Sequence, residues 1–463
     1  MLQQDPALAE RGSALFVYLT SIVAATSGLL FGFDIAVING AIIFLREQFG
    51  LTEFQTEFAA GSLLIGCVFG ASIAGWLSDR FGRRRILIVS ALLFAGSALG
   101  AALPRNLTEF TAARFLGGIA VGMASLLAPL YIAEVSPARI RGRLVALNQM
   151  AIVTGILLAY FINWLLSYAG PNGWRWMFAS AAVPALGFFI ALFFVPESPR
   201  WLTERGYESD ALRVLSRVNG RGRALIELAE IKDAISEETG SIRDLLQPGF
   251  RRALLIAVAL AVLQQVTGIN TVLFYGSVIF KEQVGGQTAS SAIGANVVIG
   301  VINFLATIVA VWIIDRLGRK PLLMISAATL ALGQFALGAA FLIQPPPAIL
   351  VLAVMVCCVA GFAVGIGPGV WVVLAEIFPT RVRGRAMSIA TISLWVSCVA
   401  LTMTFLSLAS AITPTGAFWL YGVMCVTMFL IVWLATPETK GKTLEEIEKL
   451  WRRPTPATRG MRR

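Results

Sequence analysis

The sequence predicts an all-α membrane protein: twelve transmembrane helices in two pseudo-symmetric six-helix bundles, with a short cytoplasmic helical segment between them. Three observations carry that prediction. The 463 residues are 57% hydrophobic and only 14% charged, with mean hydropathy +0.79, whereas soluble domains carry about 25% charged residues. Apolar runs of about 20 residues, enough to cross about 30 Å of hydrocarbon, recur along the whole chain. Short motifs of the first half also return, in the same order, in the second.

Hydropathy and helix breakers place spans near 14–44, 55–77, 85–103, 108–132, 144–168 and 174–195, then near 252–280, 288–314, 321–343, 348–377, 385–409 and 416–436. The chain thus divides into an N-terminal six-helix bundle (1–195), a cytoplasmic helical linker (196–250), a C-terminal six-helix bundle (251–436) and a cytoplasmic tail (437–463). The N-terminal residues, with Asp5 and Glu10, lack the charged, apolar and small-residue succession of a cleaved signal, so the first span is expected to be retained. Around Asp210–Val218 and Leu225–Ile235, apolar residues recur at helical spacing among charges. Short helices against the inner face fit that pattern, and a flexible linker is the alternative. Thr443–Trp451 in the tail reads as one amphipathic helix. All five cysteines fall in apolar runs, which implies no disulfide framework.

The net charge of +11 is concentrated in alternate loops. One set carries Arg80 and Arg83–Arg85, Arg139, Arg141 and Arg143, Arg316, Arg319 and Lys320, and Arg381, Arg383 and Arg385; the other has only Arg46, Arg105, Arg175 and Lys281. The positive-inside rule makes the first set cytoplasmic, with both termini inside. Placement explains the basic balance, so a nucleic-acid partner is not implied. A multi-pass protein of a cell membrane, bacterial inner membrane in type, is the expected localisation.

DRFGRRR at Asp79–Arg85 returns as DRLGRKP at Asp315–Pro321, an offset of 236. AEVSPARIRGR at Ala133–Arg143 returns as AEIFPTRVRGR at Ala375–Arg385 (offset 242), and PES at Pro196–Ser198 as PET at Pro437–Thr439 (offset 241). All six motifs lie at the cytoplasmic edge. Their acids and arginines suggest a gating network of Asp79, Arg83, Glu134, Arg143 and Glu197, with Asp315, Arg319, Glu376, Arg385 and Glu438 in the second half. Positive-inside topology alone would explain the arginines, but not acids at matching places.

Asp34 is the one charge in the run from Ala14 to Leu45. An ionised side chain there costs roughly 2.5–3.5 kcal/mol on insertion scales, which makes it a functional-site candidate by default. A water-filled vestibule or a structural ion pair is the plainer reading. Asp34 lies twelve residues before Arg46, and Arg114 lies nine after Arg105. Both therefore sit about 14–18 Å along a helix from the outer charges, at similar depth. The chain contains no histidine, so no imidazole relay, histidine-based triad or histidine metal site exists.

DRFGRRR with its repeat, PESPRW at Pro196–Trp201, QQVTGIN at Gln264–Asn270, GPGVWVVLAEIFP at Gly367–Pro379 and PETKG at Pro437–Gly441 together resemble the sugar porter branch of the major facilitator superfamily. That branch includes bacterial proton–sugar symporters, xylose–proton symporters among them, and animal glucose facilitators. The likeness spans essentially the whole chain. It implies a carrier, not an enzyme, that needs no cofactor or metal and works as a monomer in the bilayer. The expected activity is import of a monosaccharide, hexose or pentose, with a proton. The alternatives are a uniporter in which Asp34–Arg114 is purely structural, and a non-transporting sugar sensor. Asp34 and Arg114 fall on the charged positions of the proton-coupled members. The implied sugar site is Phe31, Gln149, Gln264, Gln265, Asn270, Asn303, Phe362, Gly367 and Trp371, with Ile156 where the xylose pattern has a glutamine and Trp395 between Leu394 and Cys398. Leu394 and Cys398 replace an amide pair. On a continuous helix Asn270 would point about 120–140° away from Gln264 and Gln265, so Gly268 is expected to break the span.

Overall fold

The computed structural model describes residues 12–137, 139–237, 245, 247–284, 288–378 and 380–440. Twelve helices in it are long and apolar enough to cross a membrane. Spans 1 to 6 are Ala14–Phe49, Glu53–Phe81, Arg83–Ala102, Leu107–Val135, Arg141–Ala169 and Gly173–Ala191. Spans 7 to 12 are Phe250–Glu282, Ala289–Ile314, Arg319–Ala340, Ala348–Glu376, Gly384–Thr402 and Phe405–Ala435. Among the described residues there is no strand. Each set of six packs into one bundle, and the bundles meet where span 1 faces span 7, span 2 faces span 11 and span 5 faces span 8. One membrane face carries the arginine motifs and is called the basic face; the opposite one, with Arg46 and Lys281, is the far face.

Local sequence explains the helix starts. Thr52 and Gln55 form a capping box at span 2, and Asn106 accepts the Glu109 N–H at span 4. Close packing explains the glycine-rich stretch of span 4. A Cβ at Gly118 would meet the Gly66 Cα at 2.8 Å, so span 4 needs small residues there to lie against span 2.

Two spans are discontinuous. Span 7 is helical over Pro248–Val266, breaks at Gly268 with φ 83°, and resumes over Ile269–Val278. The helix Phe405–Ala435 is two helices joined at Ile412 and Thr413, which leave helical geometry. The Phe405 and Phe418 rings meet at a tilt, with centroids 6.0 Å apart, as across a hairpin whose apex is that junction. Residues 405–411 therefore carry span 11 on to the far face, and the descending span 12 begins near Pro414. This agrees with the spans expected at 385–409 and 416–436.

Beyond span 6 lie the helices Pro199–Glu204, Glu208–Asn219 and Arg221–Glu237, which include both amphipathic stretches. Ala211, Val214, Leu215 and Val218 form the buried stripe. Trp201 Nε1 and Arg205 Nη2 donate to the Asp79 carbonyl at 2.8 and 2.6 Å, fastening these helices to the first bundle. The five cysteines are free thiols. The segments 1–11 and Thr443–Trp451 lie outside the described residues.

Candidate functional site

Asp34 from span 1 and Arg114 from span 4 form a buried ion pair. Arg114 Nη1 donates to Asp34 Oδ1 at 2.5 Å and Nη2 to the Asp34 main-chain carbonyl at 2.9 Å. The guanidinium carbon also lies 5.3 Å from the Phe178 ring centroid, a cation–π contact. Arg114 is wholly buried and Asp34 is 7% exposed. Gly117 leaves room for the carboxylate, since a Cβ there would stand 3.1 Å from Asp34 Oδ2. A charge in such a setting persists only when paired, and here each partner supplies the other's neutralisation.

The break at Gly268 aims three amides at one another. Asn270 Nδ2 donates to Gln265 Oε1 at 2.6 Å, Gln265 Nε2 reaches Gln264 Oε1 at 3.4 Å, and Gln264 Nε2 donates to the Ile366 and Gly367 carbonyls at 3.0 and 3.1 Å. Those carbonyls lie where the π-helical turn Phe362–Ile366 of span 10 passes into Gly367–Glu376. Asn270 Nδ2 also lies 3.3 Å from Cys398 Sγ of span 11. Three residues further down span 11, Trp395 sits with its ring 5.7 Å from Phe31 of the opposite bundle, and its buried Nε1 has no partner among the described residues. Ile156 and Asn303 are buried, whereas Gln149, Phe362 and Trp371 are half-buried. None of those five side chains has a described hydrogen bond to the amide chain.

Polar contacts described between the bundles gather on the far-face side. Asn39 of span 1 donates to the Val272 and Leu273 carbonyls of span 7 at 3.2 and 2.8 Å and accepts the Ser277 N–H at 3.0 Å. Arg46 pairs with Glu282 at 2.6 Å, and Lys281 pairs with Glu47. Glu57 of span 2, fully buried, accepts from Ser407 N at 2.9 Å and Ser407 Oγ at 2.6 Å.

The basic face is built differently. Arg83 pairs with Asp79 and Glu134 at 3.2 Å each and approaches Glu204 at 3.8 Å. Glu197 accepts the Arg84 N–H at 3.0 Å. In the second bundle Arg319 pairs with Glu376 at 3.1 Å, and Glu438 accepts the Arg319 and Lys320 N–H groups at 3.1 and 3.0 Å. Burial pushes the Glu438 carboxyl up, but the main-chain N–H groups of Lys440, Lys320, Arg319 and Thr439 outweigh it and leave it below the ordinary glutamate value. Among the described residues, none of the ion pairs at this face joins one bundle to the other. Among the described contacts Arg143 and Arg385 are not brought into either network, and both are exposed at the starts of spans 5 and 11. The Asp315 side chain lies outside those described.

Sequence reasoning overlooked Asn39, Glu57 and Gln334, whose Nε2 donates to the Thr267 carbonyl at 2.7 Å beside the break. Asn39 and Gln334 are single amides in their apolar runs, which was the available signal, whereas Glu57 lies among the polar residues at the start of span 2.

With this geometry in place, comparisons with known proteins agree in kind. The sequence model described as sugar (and other) transporter matches residues 20–451. The arabinose–proton symporter of Bacillus subtilis is 41% identical over 443 residues, 94% of this chain and 95% of that protein. The D-xylose–proton symporter of Escherichia coli K12 is 39% identical, over 96% and 97% respectively. A partially occluded, inward-open structure of the xylose transporter of E. coli superposes with TM-score 0.83 at 37% identity, covering 93% of this chain and 100% of the other.

Proposed function

The chain belongs to the sugar (and other) transporter family, and from that premise we propose that it imports a monosaccharide together with a proton by alternating access. It is a transporter rather than an enzyme. Its similarity to arabinose–proton and xylose–proton symporters supports a pentose or hexose as cargo and a bacterial inner membrane as its place. The basic face is the cytoplasmic one, and the carrier functions as a monomer.

The observation that carries proton coupling is the buried Asp34–Arg114 pair. While the pair is closed, the guanidinium neutralises the carboxylate. When spans 1 and 4 shift and the pair separates, a proton on Asp34 becomes the remaining way to neutralise it. Protonation is thereby tied to a rearrangement of span 1 against span 4 within the first bundle. Sugar hydroxyls are met by Gln264, Gln265 and Asn270, which both donate and accept, and by the unpartnered Trp395 Nε1. The faces of Phe31 and Trp395 cover the ring's C–H surface. With the far face joined, this conformation opens toward the cytoplasm.

The test is uptake in proteoliposomes with and without an imposed proton gradient. Wild type accumulates sugar and loses that accumulation to a protonophore. Asp34→Asn no longer accumulates but retains counterflow exchange. Accumulation by Asp34→Asn would overturn proton coupling through this residue, and protonophore-insensitive equilibration by wild type would make the chain a uniporter.

A further inference from the structure

Glu57 is a carboxylate that neither the proton pair nor the amide chain uses. It enters near the far end of span 2, five residues into a helix capped by Thr52, yet it is fully buried. Its two oxygens are both acceptors, from Ser407 N at 2.9 Å and Ser407 Oγ at 2.6 Å. One turn earlier Glu53 accepts from Ser410 Oγ at 2.7 Å. The two glutamates thus lie along the far end of span 11 as it rises antiparallel to span 2, at the joint between the bundles.

Span 11 is interrupted there. The helix restarting at Phe405 has Thr404 as its flanking residue, and Thr404 provides no side-chain cap. The first N–H groups of a helix have no partner within it, and one of these, on Ser407, is satisfied by a residue of the other bundle. Separating spans 2 and 11 at the far face removes that partner and takes both Ser407 donors from the buried Glu57 side chain. The repeat does not reproduce the device. At the offset of 236 the position of Glu57 is taken by Ile293 in span 8, and its neighbour Gly294 lies against the Trp164 ring of span 5. At this place one joint is fastened by carboxylates, and its counterpart has an isoleucine and a glycine–tryptophan contact.

We propose that Glu57, seconded by Glu53, is the latch of the far gate: a positioning residue whose bonds to Ser407 set how much of the carrier stands closed on that side. This rests on the alternating-access reading above and is independent of which sugar is carried. Opening the far gate breaks these bonds, and closing it remakes them, so the latch governs the balance of the two states and not the chemistry of the site.

The test is a spin-label distance measurement between Phe54→Cys and Ile412→Cys, both exposed at the far ends of the joint, in a Cys357→Ser background. The full-length protein is reconstituted in lipid. Wild type shows a short and a long population. Glu57→Ala raises the ratio of long to short about tenfold, Glu57→Gln and Ser407→Ala raise it less, and Glu57→Ala with Ser407→Ala goes no further than Glu57→Ala. Should Glu57→Ala fold poorly, the isosteric Glu57→Gln and the Ser407→Ala variant carry the test. A two-population wild type matched unchanged by the folded variants overturns the latch alone. A single population in wild type, with and without pentose or hexose, overturns the alternating-access reading and the latch with it.

Discussion

Spans 1 and 7 hold the same place in the two bundles, and at an offset of 236 Gly32, Asp34 and Gly40 correspond to Gly268, Asn270 and Gly276. The outcomes differ. Gly32 stays helical and packs on the Ile152 main chain of span 5, whereas Gly268 takes φ 83° and breaks its span. Asp34 is charged and bonded to Arg114; Asn270 is neutral and bonded to Gln265 and Cys398. The place of Arg114, at the offset of 242, is taken by Val356. A duplicated scaffold has kept its charge in one bundle and its amide chain in the other. On the proposed reading the proton is held in the first bundle and the sugar hydroxyls mainly in the second, with Phe31 and Trp395 meeting across the joint.

The comparison breaks most sharply at Arg114. Arg114→Met leaves Asp34 buried without its partner and should cost about 3–5 kcal/mol, read as a large fall in thermal midpoint. Replacing both, Asp34→Asn with Arg114→Gln, makes this pair as neutral as its counterpart. It should recover much of the midpoint without recovering accumulation.

Gly268→Ala tests the break itself. Alanine is strained at φ 83°, and its Cβ would stand 2.5 Å from the Tyr421 ring and 2.7 Å from Gln334 Nε2. A loss of about 2 kcal/mol or more in sugar binding is expected by calorimetry. Gly75→Ala, where the Cβ meets nothing within 4 Å, is the control and should change binding little.

Gln334→Leu leaves the Thr267 carbonyl with only the weak Cys425 thiol donor at 3.6 Å. It should lower stability by about 1–3 kcal/mol and weaken sugar binding in parallel, by thermal shift and calorimetry.

Smallest is Glu438→Gln. Because the folded-state pKa of Glu438 is lowered, its contribution is present above the ordinary glutamate value and lost as pH falls through the folded value. The variant should be slightly less stable near neutrality, and its thermal midpoint should fall less steeply as the medium is acidified below pH 4.5, the ordinary value.

How much of this was legible in the sequence depended on how costly each residue looked out of context. Asp34 and Arg114 stood out because a charge in an apolar run is expensive, and counting residues from the outer charges is enough to match their depths. The amide convergence was legible because helix angles forbid it unless Gly268 breaks the span. The break between spans 11 and 12 was legible in its bounds, since Pro414 and Gly416 punctuate the run. Asn39 and Gln334 were not, since a single amide in a span is equally suited to any neighbouring helix. Glu57 was hidden by its nearness to a helix end, where glutamates usually face water. Arg143 and Arg385 were drawn into a network by motif position, but motif position does not say which conformational state brings arginine to acid.

Glu197 and Glu438 each accept main-chain N–H groups at the start of the third helix of their own bundle, from Arg84 in one and from Arg319 and Lys320 in the other. The segment leaving the sixth helix is thus stitched back to the middle of its bundle. The exit of each bundle is anchored to its third helix, and a pull on the chain leaving the sixth helix is carried by the third as well.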